Sequence, residues 1–66
     1  MASMKRRRAK QKLLQLADRV VRALQELRDM GMEAIQSFWV RADGRIKMHQ
    51  RFWHPLELAK KYQLSI

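Results

Sequence analysis

The sequence predicts an α+β fold: a long helix packed on a two-stranded antiparallel hairpin, then a short helix, in the order α-β-β-α. Three observations carry it. Apolar residues from Leu13 to Met30 recur at helical spacing. Asp43-Gly44 sits between two runs rich in β-branched and aromatic residues, a strong short-range hairpin signal. His54-Pro55 with Glu57 behind it reads as a helix start.

Residues 1–12 carry six Lys/Arg and no acid. Helix N-termini favour negative charge, so these cations oppose helix formation there. The expectation is a flexible basic arm ahead of a single domain over 13–66. Such an arm becomes helical on an anion. Lys5, Arg6, Arg7, Arg8, Lys10 and Lys12 are its candidate phosphate contacts. The plain alternative is a solvated tail.

Leu13, Leu16, Ala17, Val20, Leu24 and Leu27 form one helical stripe, flanked by Leu14 and Val21 on one side and Ala23 and Met30 on the other. The opposite face holds Gln15, Asp18, Arg22, Gln25, Glu26 and Asp29, with Asp18 and Arg22 in the favourable i,i+4 order. Gly31 is the expected stop. The apolar arc is wider than a small hairpin covers. Leu13, Leu16, Val20 and Leu24 are therefore the expected interface of a homodimer or of a complex with a partner protein.

In the hairpin, turn length decides the faces. A three-residue loop, with Ala42 and Asp43 in the turn and Gly44 left-handed, pairs Val40 with Ile46 and Trp39 with Lys47. It leaves Phe38, Val40, Ile46, Met48 and Phe52 on one face. A two-residue turn mixes apolar and basic side chains on both faces, and register is all-or-none for faces. The other face then carries Trp39, Arg41, Arg45, Lys47, His49 and Arg51. Gln50 is the one polar residue on the apolar side. In the last segment, Leu58, Ala59, Tyr62 and Ile66 form the apolar side, and Lys60 and Lys61 face water. Leu56–Ser65 resembles the first helix and turn of the helix-turn-helix of bacterial repressors. Gln63 stands where that motif usually has Gly, and no recognition helix follows, so no base-reading residue is carried over. A double-stranded-RNA-binding domain also brackets a sheet with helices, but needs a third strand that the pattern does not show.

The chain has 66 residues and no cysteine, so disulfides and thiolate metal sites are excluded. Its net charge is +9. The surplus is uneven: +6 over 1–12, −1 over 13–40, +3 over 41–54 and +1 over 55–66. Two concentrated basic blocks, one beside an exposed tryptophan, favour nucleic acid over charge that serves only solubility. No apolar run approaches the ~18 residues of a membrane span. The basic start lacks the apolar core of a signal peptide, so the expected place is the cytoplasm or nucleoid.

Catalysis finds little support. The serines have no His-Asp arrangement at local spacing, and there is no glycine-rich phosphate loop. No cofactor or metal is expected. His49 and His54 read as a surface and a pre-proline histidine. Glu26, Asp29 and Glu33 read as a solvated acidic side of the helix. The expectation is a small non-enzymatic nucleic-acid-binding regulator or accessory factor of phage or mobile-element type, with DNA ahead of RNA. The alternative is a protein-interaction module, an inhibitor or adaptor using the apolar helix and Trp39 on a larger acidic protein.

Overall fold

The spacing of Ala17, Val20 and Leu24 places all three on one side of helix α1 (Ala2–Asp29), where each is fully buried. The computed structural model describes residues 2–35 and 37–66, with the side chains of α1 from Ala9 onward. Three short antiparallel strands follow: β1 (Trp39–Val40), β2 (Ile46–Met48) and β3 (Arg51–Trp53). Helix α2 (Pro55–Lys61) closes the chain. The sheet order is β1-β2-β3.

The α+β layout with a long first helix and a short last one is the expected one. Two details differ. Helix α1 begins at Ala2, so the described backbone of the expected flexible arm is helical. Ala, Lys, Arg, Gln and Met are all strong helix formers. The charge–dipole penalty is confined to the first turn, while a helix already nucleated by the packed Leu13–Leu27 region propagates cheaply. Ala9 to Lys12 are exposed, and Leu13 is half-buried. The overhang helps make the molecule long, 46 × 24 × 16 Å.

The second difference is in the sheet. The run Arg45–Trp53 is not one strand. It folds back at His49-Gln50, both with left-handed backbone (φ 53° and 65°), into β2 and β3. The sheet is therefore three-stranded rather than two-stranded.

The first hairpin has the expected register, with Trp39 opposite Lys47 and Val40 opposite Ile46. Its loop is closed by Gly44 N–H donating to the Arg41 carbonyl (2.8 Å) and Arg41 N–H donating to the Arg45 carbonyl (2.7 Å). Gly44 is left-handed, at φ 92°. Helix α1 stops as expected. Gly31 N–H donates to the Arg28 carbonyl and Met32 N–H to the Leu27 carbonyl, with Gly31 at φ 100°, a Schellman ending. Glu33 lies past this stop and does not share a helical side with Glu26 and Asp29.

Helix α2 starts in a capping box. Leu56 N–H donates to His54 Nδ1 (3.1 Å), and His54 N–H donates to Glu57 Oε1 (3.1 Å). Its end repeats the Schellman pattern with Gln63 left-handed in the usual glycine position. Ile66, expected on the apolar side of this helix, lies beyond its end and is exposed.

The core joins Ala17, Val20 and Leu24 to Ile35, Ile46, Met48, Leu58 and Ala59. This corrects the expected oligomer surface. Val20 and Leu24 are fully buried inside the single chain, and Leu16 packs against the same core. Leu13 lies against Gly44. Helix α2 packs on α1 and, with Trp53 of β3 against the same core, adds cover beyond the first hairpin.

Candidate nucleic-acid interface

The turn at His49-Gln50 decides which side chains share the outer face of the sheet. Lys47 pairs with Trp39 on one side and with Phe52 on the other. Antiparallel partners project to the same face. Trp39, Lys47 and Phe52 therefore form a row across all three strands, on the face opposite the buried Ile46 and Met48.

Phe52 was expected in the core. It lies on the outer face instead, because the turn pairs Lys47 with Phe52 and so reverses the alternation after Met48. Its ring meets Trp39 edge to face, with centroids 5.7 Å apart and planes at 89°. The Arg41 guanidinium sits 4.3 Å from the Phe52 centroid and Lys47 Nζ 4.8 Å from it.

Arg41 is held there by Asp43. Arg41 Nε donates to Asp43 Oδ1 (2.9 Å), and a second guanidinium nitrogen donates to Oδ2. Arg45 N–H also donates to Asp43 Oδ1 (3.0 Å). The Arg41 hydrogen bond first, and the Arg45 N–H second, hold the Asp43 carboxyl well below the usual carboxylate range. One carboxylate thus closes the loop and fixes a cation over an aromatic ring.

Arg45 and Lys47 differ from Arg41. Among the described residues, neither has a carboxylate at ion-pair distance. Arg45 is exposed and lies two residues before Lys47, on the same side. Both are available to a phosphate.

Two expected members of this face lie elsewhere. His49 is exposed in the β2–β3 turn. Arg51 pairs with Met48 across the ladder, and its guanidinium lies 3.7 Å from the Trp53 ring centroid and 3.4 Å from Glu57 Oε2. Lys61 Nζ approaches the same ring, 4.7 Å away, and Trp53 Nε1–H donates to the Met48 carbonyl (2.9 Å). Trp53 thus closes the sheet margin with a cation-covered ring. Its position beside β2 had no warning in the sequence. Gln50, the polar break in the apolar alternation, was the one available signal for the turn and for Phe52.

Compared with family models, curated proteins and solved structures, the chain matches none of them. The site therefore rests on its own geometry. Lys10 and Lys12 are exposed on α1. The side chains of Lys5, Arg6, Arg7 and Arg8 lie outside the described residues. No group of three or more His, Asp or Glu that could hold a metal ion occurs among the described residues. No helix among them is long and apolar enough to cross a membrane.

The arrangement offers three chemical handles together: an exposed indole, a braced guanidinium–phenyl pair, and two cations without carboxylate partners among the described residues. Groups of these kinds can engage a polyanion without any covalent step.

Proposed function

We propose that this chain is a small, non-enzymatic nucleic-acid-binding protein, a regulator or accessory factor of phage or mobile-element type. DNA is the first form to test and RNA the second. The observation that carries the reading is the Trp39–Lys47–Phe52 row beside Arg41 and Arg45. The basic start of α1 supports it by adding six further cations on one continuous helix. The sheet row positions the nucleic acid, and the helix adds phosphate contacts. A nucleic-acid partner places the protein in the cytoplasm or nucleoid. Of the residues expected at a homodimer interface, Val20 and Leu24 are buried within one chain, while Leu13 and Leu16 are half-buried.

The test is anisotropy of labelled DNA and RNA across a salt series, with heparin as competitor. Affinity is expected to fall linearly on a log–log scale with salt. Deleting residues 1–12 is expected to make that slope shallower. The circular dichroism melt should change little, because Ala9–Lys12 are exposed. Absence of binding to either nucleic acid at low salt overturns the reading.

A second reading has one observation in its favour. Leu56, Leu64 and Ile66 line an open apolar groove beside α2, with Leu56 54% exposed. A protein-interaction module would use this groove and Trp39, since the apolar side of α1 is spent on the core. Material purified at low salt with a 260/280 nm absorbance ratio of pure protein favours this reading over the first.

A further inference from the structure

Resting on the nucleic-acid reading and deepening it, we infer that the outer sheet face takes an unpaired nucleotide. A base stacks on Trp39 while Lys47 and Arg45 hold the flanking phosphates. The ligand class is single-stranded nucleic acid, DNA or RNA, rather than duplex.

The aromatic inventory leads to Trp39. The chain has five aromatic residues. Four are engaged by a cation near the ring: Phe38 by Arg28, Phe52 by Arg41 and Lys47, Trp53 by Arg51 and Lys61, and Tyr62 by Lys61. Among the described residues no cation lies over Trp39, and it is 54% exposed. Phe52 braces it at 89°, so the two rings do not stack on each other. Trp39 is thus a supported ring without a face-to-face partner.

The cations divide by role. Arg41 is tied to Asp43 and laid over Phe52, so it braces the row. Arg45 and Lys47 have no carboxylate partner among the described residues and lie in the same row or next to it. Their positive charge complements phosphates on either side of a base held at Trp39.

Duplex geometry does not supply that base. Bases inside a duplex present their edges, and their faces are already stacked on neighbours. Exposing a face there requires unstacking, whereas a single strand offers faces at no such cost. Open antiparallel sheets bearing aromatics stack unpaired bases in this manner. The strands here are two or three residues long, so the face is too small to follow a duplex groove by itself.

The test uses the full chain with a single-stranded oligothymidylate, an oligouridylate, a DNA hairpin duplex and heparin. Tryptophan fluorescence is expected to be quenched by both single strands and much less by duplex or heparin. Trp39→Ala is expected to lose single-strand affinity on the order of tenfold, with the salt slope unchanged, because stacking releases no counterions. Trp39→Phe keeps a stacking ring and is expected to retain most of the affinity while losing most of the quench. Lys47→Ala is expected to lower the single-strand slope by about 0.7. The quench of the unaltered protein is read independently of any variant's folding. Equal binding of single strand and duplex, with no quench and no effect of Trp39→Ala, overturns this inference and leaves the nucleic-acid reading standing. Failure to bind any nucleic acid overturns both.

Discussion

Gly44 is held to glycine by two constraints at once. It combines a φ of 92° with a close approach to α1, where an added Cβ would come 2.7 Å from Leu13 Cγ. Gly44→Ala therefore meets both backbone strain and overpacking. It is expected to cost about 2 kcal/mol or more, read as a lower urea midpoint at unchanged m-value. Its neighbour Asp43 sets an acid limit. The Asp43 carboxyl titrates below its ordinary value of 3.8 in the folded chain, through the Arg41 and Arg45 hydrogen bonds. A depressed folded-state value means that its contribution is present above the unfolded value and is lost as pH falls below about 3.8. Asp43→Asn should flatten that part of the stability curve below pH 4 and leave its shape near neutrality unchanged. A stability–pH series of both proteins checks this. A steeper acid limb in the variant would contradict it.

At the scale of elements, the β2–β3 turn places two non-glycine residues, His49 and Gln50, in left-handed backbone. Asn-Gly suits such a two-residue turn far better. The double change His49→Asn, Gln50→Gly is expected to stabilise the protein by about 1 kcal/mol. A thermal melt that falls instead would show that His49 or Gln50 has a tertiary role. The strand before this turn separates core from site. Met48 is buried and Lys47 lies on the outer face. Met48→Ala should cost about 2 kcal/mol or more by opening a cavity, while Lys47→Ala should stay within about 0.5 kcal/mol. Denaturant melts of the two variants test the register directly, since a shift of one residue would exchange their effects.

Over the whole molecule, the core is small and drawn from α1, Ile35, β2 and α2. For 66 residues the expected total stability is only about 3–10 kcal/mol. Leu24 is fully buried in the core it shares with Ile35, Ile46, Met48 and Leu58. Leu24→Ala is expected to cost about 3 kcal/mol, a large share of that total. Because Leu24 serves the core of one chain, sedimentation of the folded variant should give the mass of the unaltered protein. A fall in mass accompanying the substitution would restore the leucine stripe as a contact between copies.

Some of this was legible in consecutive residues. Gly31 stops α1, Asp43-Gly44 builds the first loop with its register, and His54, Pro55 and Glu57 start α2. Each signal lies within a few positions, because turns and caps are made by a residue's own backbone freedom and nearest side chains. The same locality made the basic face with Trp39, Arg41, Arg45 and Lys47 readable. What came after Met48 was not. His49-Gln50 lacks the Gly, Asn or Asp of a usual turn, the polar Gln50 being its one signal, and a turn there resets the alternation for every later residue. Phe52 then moves from the expected core to the outer face, and Arg51 moves to Trp53 and Glu57. The destination of the leucine stripe was equally hidden. Its spacing determined that α1 is amphipathic, but only the assembled sheet and α2 decided that Val20 and Leu24 are covered within one chain. Burial is a property of how much surface the other elements supply, and here α2, packed on α1, and Ile35, Ile46 and Met48 supply it.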